Sequence, residues 1–237
     1  MEKVLRKNGV DSLFEDFYDV DKIEKLLQSD HTIQVVYIET PSNPTIDCYD
    51  LKKIAALAKK YGAKTVVDNT FATPYLQQPL VLGCDFVIHS ATKFLNGHGN
   101  AIGGIVVGKD IDFMSTNVWE ERKLRGAVPS AFDVWLLNNG LKTLELRMER
   151  HCKNALTVAQ FLDQHEAVKK VNYLGLESHK AHHLATQQMR NGFGGTLSFE
   201  LKGGLEAGIK LMNNIDLLTL TASLGTTDTL IQHPAFR

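Results

Sequence analysis

Residues 33–68 read IQVVYIETPSNPTIDCYDLKKIAALAKKYGAKTVVD, and the fold class follows from this stretch. Ile33-Gln34-Val35-Val36-Tyr37-Ile38 is a short apolar run rich in β-branched residues, the pattern of a buried strand. Leu51, Ile54, Ala58 and Tyr61 then recur at helical spacing, with Asp50 placed as an N-cap and Gly62 as a C-cap. Thr65-Val66-Val67 is the next strand. Working outward, Phe86-Val87-Ile88 and Ile105-Val106-Val107 add two more short apolar runs, the first after a turn-rich stretch with Pro74 and Pro79. Strand, helix, strand and further strands predict an α/β fold with a mostly parallel sheet. Ligands of such sheets sit beyond the carboxyl ends of the strands.

Past Pro129 the pattern changes. Ser130-Ala131-Phe132-Asp133 has the form of a capping box. It predicts a long helical connector, interrupted near Asn138-Asn139-Gly140 and running to about Leu162. Alternating shorter elements follow: a strand near Val168–Tyr173, a helix near Ala181–Met189, a strand Gly195–Leu201, a helix Leu205–Asn213 and a strand Leu217–Thr221. This is a second, α+β unit, so the chain divides into residues 1–140 and 141–237.

Composition narrows the function. The 237 residues are 43% hydrophobic and 22% charged, ordinary for a globular chain. Twenty-six Lys and Arg against 27 Asp and Glu leave a net charge of −1. Nothing supplies the field that holds a nucleic acid or an acidic membrane surface. Cys48, Cys84 and Cys152 are odd in number and widely spaced, which predicts small buried hydrophobes rather than disulfides or a zinc site. No stretch approaches the ~20 apolar residues of a membrane span, and the first residues lack the apolar run of a secretory signal. The expectation is a cytoplasmic protein. His179, His182 and His183 have no Cys, Asp or Glu to complete a metal set and read as an exposed polar helix face. Glu145, Glu149, Arg147 and Arg150 read as a solvated helix face.

The residues after the three strands carry chemistry. Ile38 is followed by Glu39-Thr40-Pro41-Ser42-Asn43-Pro44, Val67 by Asp68-Asn69-Thr70, and Ile88 by His89-Ser90-Ala91-Thr92-Lys93. In a parallel sheet all three face one rim, which gathers a carboxylate, hydroxyls, an amide and a lysine. A lysine in semi-apolar surroundings loses stabilisation of its ammonium form, and a neutral amine attacks carbonyl carbons. Pyridoxal phosphate asks for this set: a Schiff-base lysine, a carboxylate for the pyridinium nitrogen, and donors for the phosphate.

The segments Val66–Pro74 and His89–His98 resemble the hallmark segments of the Cys/Met-metabolism, or transsulfuration, pyridoxal-phosphate enzymes. Glu39–Pro44, Gly140-Leu141-Lys142-Thr143-Leu144 with Arg147-Met148, Ser223-Leu224-Gly225 and His233-Pro234-Ala235 resemble further segments of that family. The resemblance implies a type I, aminotransferase-like large domain and a small C-terminal domain. It implies that Lys93 carries the cofactor and then moves protons, and that Asp68 pairs with the pyridinium nitrogen. It further implies that Asn43 contacts the phenolic oxygen, that Ser90 and Thr92 bind the phosphate, and that Ser223 with the Leu224 backbone meets the substrate carboxylate. The implied substrate is a small sulfur-containing amino acid, and the implied assembly a homo-oligomer of the tetramer type. Gly126–Ser130 with Asn96–Gly99 looks most like the γ-lyase branch, which implies γ-elimination from methionine or cystathionine; γ-replacement and a non-catalytic remnant are the alternatives. Family members carry a phosphate-gripping Ser-Gly-Met loop before the matched region and a carboxylate-clamping arginine after it. Neither has a counterpart here, so the chain reads as part of a longer protein.

Overall fold

The computed structural model describes residues 2–236. Four strands form the central sheet in the order β1 (Val35–Glu39), β2 (Lys64–Asp68), β3 (Phe86–Ser90) and β4 (Gly104–Gly108). β1, β2 and β3 run parallel, whereas β4 pairs antiparallel with β3 and closes the edge. The sheet is therefore mostly parallel, as expected, with one antiparallel strand at its edge. Val36, Ile38 and Val67 face two helices, Val20–Ser29 and Leu51–Lys60, and join Ile23, Leu27 and Ile54 in one buried cluster. Fully burying each such side chain contributes about 1.5–3 kcal/mol.

The two covering helices begin where the sequence marks them. Asp19 Oδ1 accepts from the Lys22 amide and Asp50 Oδ1 from the Lys53 amide, each at 2.9 Å. Gly62, at φ 81°, takes the left-handed turn that ends the second helix. The opposite face of the sheet is more open: Val66 and Ile88 are half-buried, and Val35, on β1, is 53% exposed.

Ser130 Oγ caps the helix Ala131–Leu141, accepting from the Asp133 amide at 3.1 Å. The interruption falls at Lys142–Thr143, two residues later than the sequence predicts. Gly140 stays helical because its missing side chain makes room for another segment, described below. The helix Leu144–Asp163 follows, burying Met148, Cys152, Ala155 and Ala159 on one stripe. Its last half packs on an antiparallel pair, β5 (Val168–Asn172) and β6 (Ser198–Leu201), around the buried Tyr173. The Tyr173 hydroxyl donates to Gly194 O at 3.0 Å, so its burial leaves no orphan donor. The expected strand Leu217–Thr221 shrinks to β7 (Thr219–Leu220), paired with β8 (Leu230–Ile231).

All three cysteines are buried and free. Burial pushes the Cys48 and Cys84 thiols up to about 11, which keeps them inert at neutral pH. Among the described residues no helix is long and apolar enough to cross a membrane. His179 corrects its sequence reading. It is buried, and its Nδ1 accepts from the Ala181 amide at 3.1 Å in the turn that precedes the helix His182–Gln188.

Candidate active site

Because β1, β2 and β3 are parallel, Glu39, Asp68 and Ser90 leave the sheet along one rim. Glu39 lies in register with Asp68, and Asp68 with Ile88. Strand alternation therefore places Tyr37, Glu39 and Asp68 on the face away from the two covering helices.

Asp68 is held on both oxygens. Oδ1 accepts from the Thr70 amide at 3.0 Å and the Thr70 hydroxyl at 2.6 Å. Oδ2 accepts from the Tyr37 hydroxyl at 3.3 Å, and its second lone pair leaves acceptor capacity. Thr70 Oγ1 also accepts from the Ser90 amide at 2.8 Å, so one threonine ties the end of β3 to the carboxylate of β2. Neither Thr70 nor Tyr37 receives a role from the sequence. The Asp-x-Thr spacing, which favours a local side-chain turn, is the signal that finds the first; Tyr37 emerges only from strand register.

Two carboxylates share this corner. Partial burial and then the neighbouring Asp68 charge hold Glu39 above its ordinary range, and the Asn43 amide opposes them. Burial and the same Asp68 charge push the Tyr37 hydroxyl far up, so it remains a donor at any ordinary pH. Behind the rim, Asn69 faces the core. Its amide donates to Gln77 O at 2.9 Å and accepts from Gln77 Nε2 at 2.9 Å, and Gln188 joins through Gln77 Oε1 at 3.1 Å. His89 also faces inward, and burial holds its imidazole below the usual value.

Lys93 follows in the turn after β3, half-buried. Its Nζ donates to Ser223 Oγ at 3.2 Å, across 130 positions of sequence. Ser90 Oγ makes no bond among the described residues. Thr92 Oγ1 accepts from the Gly103 amide at 3.1 Å and donates weakly to Gly103 O at 3.4 Å, so it is used by its own loop. Leu224 packs against the cluster that holds Phe94. Asn43 is exposed in the turn after β1, at the same end of the sheet, and contacts the corner through its backbone facing Glu39.

The residue most misread from sequence is Arg147. Far from being solvated, its guanidinium reaches Phe94 O at 2.7 Å and Gly140 O at 2.8 Å. Glu145, Glu149 and Arg150 are exposed, as the helix spacing predicts.

The family model described as "Cys/Met metabolism PLP-dependent enzyme" matches residues 1–237. The chain belongs to this family of pyridoxal-phosphate-dependent enzymes. It is 46% identical over 232 residues to an L-methionine gamma-lyase of Porphyromonas gingivalis, covering 98% of this chain and 57% of that protein. It is 44% identical over 230 residues to a cystathionine beta-lyase of Coxiella burnetii, covering 97% of this chain and 59% of the relative. The crystal structure of a cystathionine gamma synthase from Xanthomonas oryzae pv. oryzae in complex with cystathionine superposes with a TM-score of 0.92 at 42% identity, covering 98% of this chain and 59% of that one. The chain thus spans somewhat under three fifths of the length of these Cys/Met-metabolism relatives.

Proposed function

We propose that the rim at the ends of β1, β2 and β3 binds pyridoxal phosphate and, in a homo-oligomer, cleaves the carbon–sulfur bond of methionine or cystathionine by γ-elimination. The observation that carries this reading is the meeting of Lys93 with Ser223 on the rim that also carries Asp68, tied to the end of β3 through Thr70. The donor set suits the group. Asp68 has a free lone-pair direction for a protonated ring nitrogen, Ser90 Oγ is uncommitted for a phosphate oxygen, and Lys93 offers a mobile amine. The exposed apolar surface of the helix Ala131–Leu141, with Phe132 at 66% and Trp135 at 58% exposure, is what an assembly would cover. A unit over 1–140 would hold the cofactor and a smaller one over 141–237 would flank it.

The cofactor, when bound, supplies an electron sink for a carbanion beside the amino-acid carboxylate. The chain's own residues do the rest. Asp68 holds a proton at the ring nitrogen by charge, with Thr70 and Tyr37 fixing its orientation. Ser90, with Thr92 if it releases Gly103, donates to the phosphate. Lys93 Nζ moves the α-proton and then the β-proton whose loss expels the γ-sulfur. Ser223 and the Leu224 backbone bind the substrate carboxylate, and Asn43 the ring's phenolic oxygen.

The test is to supply the protein with pyridoxal phosphate and either methionine or cystathionine, and to follow the keto acid. Cofactor-dependent 2-oxobutanoate with ammonia is the expected product. Pyruvate from cystathionine would move the reaction to β-elimination, the activity in the name of the Coxiella relative. No keto acid from either substrate would overturn the reading.

A further inference from the structure

The turn that carries Lys93 closes on itself only in part. The Lys93 amide donates to Ser90 O at 3.2 Å, the Asn96 amide to Ala91 O at 2.9 Å and the Gly97 amide to Lys93 O at 2.8 Å. The two carbonyls immediately after the lysine, Phe94 O and Leu95 O, turn outward instead. Both accept from Arg147, at 2.7 Å from Nη1 and 3.4 Å from Nη2. Nη2 also donates to Gly140 O at 2.8 Å, and Nε to Thr143 Oγ1 at 3.0 Å. One guanidinium thus joins the lysine turn to the interruption between the helices Ala131–Leu141 and Leu144–Asp163.

The chemistry suits arginine alone. The group has no carboxylate partner among the described residues, and burial lowers its basicity. It is matched by carbonyl dipoles arranged around a planar fork, which an ammonium cannot reproduce. Three glycines confirm how closely the surroundings are fitted. A Cβ at Gly97 would lie 2.1 Å from Arg147 Nη1, one at Gly140 would lie 2.1 Å from Asn96 O, and one at Gly225 would lie 2.5 Å from the Phe94 nitrogen. The turn is gripped by Gly140, Arg147 and Gly225, all more than 40 positions away in the sequence.

We propose that Arg147 is a positioning residue: by fixing the carbonyls of Phe94 and Leu95 it sets where Lys93 presents its amine on the rim. The proposal rests on the cofactor reading above, and its consequence is specific. Losing the fork should impair bonding of Lys93 to the cofactor while sparing non-covalent recognition, because neither Asp68 nor Ser90 is bonded to Arg147.

The experiment uses two ligands and the Arg147→Lys variant. Pyridoxamine phosphate carries an amine where pyridoxal phosphate carries an aldehyde, so its affinity reports the pocket without Lys93. Attachment of pyridoxal phosphate proceeds by condensation of the Lys93 amine with the aldehyde, with loss of one water. Borohydride then fixes the product as a secondary amine that peptide mapping locates. In Arg147→Lys, pyridoxamine phosphate should bind within about twofold of the parent, while attachment at Lys93 slows by about tenfold or more. If that variant loses its cooperative unfolding, Thr143→Val removes the Nε acceptor and the hydroxyl's own bond to Gly140 O at 3.2 Å, keeps the three carbonyl acceptors of the fork, and should show the same split at smaller size. Parent-like attachment in a variant that has lost the fork would overturn the proposal. So would a parallel loss of both ligands, which a merely structural role predicts. A parent chain that attaches no pyridoxal phosphate would instead bring down the cofactor reading itself.

Discussion

At the end of β2, Asp68 takes its bonds from Thr70, two positions on, and from Tyr37 on the adjacent strand. At the end of β3, Lys93 has its amine on Ser223 and its turn held by Arg147, Gly140 and Gly225. The first arrangement comes from a local turn and from strand register. The second is imposed by segments that fold elsewhere and must arrive together. The carboxylate should therefore keep its geometry under most distant changes, whereas the lysine should respond to substitutions far along the chain.

The largest effect expected from a single change at the local end is on turnover. Asp68→Asn keeps the shape and the Thr70 bonds but gives up the charge that holds a pyridinium proton. A hydrogen bond to a charged group contributes about 1.5–3 kcal/mol, so turnover should fall roughly tenfold to a hundredfold while cofactor still binds. Steady-state rates on the cofactor-saturated protein check this, and near-parental turnover would remove Asp68 from the site.

The remote end predicts a stability effect. Gly140→Ala drives a Cβ to 2.1 Å from Asn96 O, backbone that moves only with the lysine turn. Overpacking of this kind costs about 1–3 kcal/mol. Gly103→Ala, where the nearest atom is the Ala91 Cβ at 3.7 Å, is the control and should be nearly neutral. Equal denaturation midpoints for the two variants would mean that the helix interruption does not press on the turn.

A smaller effect separates the two regions by pH. Burial holds His89, on the rim side, and His179, beyond the long helix, below the imidazole range. A His whose folded value is depressed binds more protons when unfolded. Its contribution is fully present above the unfolded value of about 6.5 and is lost as pH falls through the folded value. Stability should decline below about pH 6.5, by at most about 1.4 kcal/mol per pH unit for each His. Urea midpoints at a series of pH values, repeated with His89→Asn, would apportion the slope. Burial also holds His151, stacked edge-on against Phe94, below the imidazole range, so a slope untouched by that substitution would place it on His151 or His179.

The same contrast explains what could be read from residues alone. Residues 33–68 announce their elements because each signal is local: β-branched runs, an Asp cap, a Gly stop. The rim followed from the parallel order of three such strands, and the family resemblance named its residues. Helical spacing puts Arg147 beside Glu145, Glu149 and Arg150 and so suggests a solvated side chain, but spacing says nothing of carbonyls 53 residues earlier. The helix runs past Gly140 to Leu141 for a related reason. Glycine ordinarily weakens a helix, but here it admits Asn96. His179 escapes the sequence because its role, holding the Ala181 amide just ahead of a helix from inside the core, depends on a turn that no periodicity marks.

The most direct measurement joins both ends of the rim. Incubate the protein with pyridoxal phosphate, reduce with borohydride, and map the modified peptide. The account predicts a single label on Lys93, within the segment His89–His98. A label on Lys109 or Lys142, with Lys93 unmodified, would contradict it.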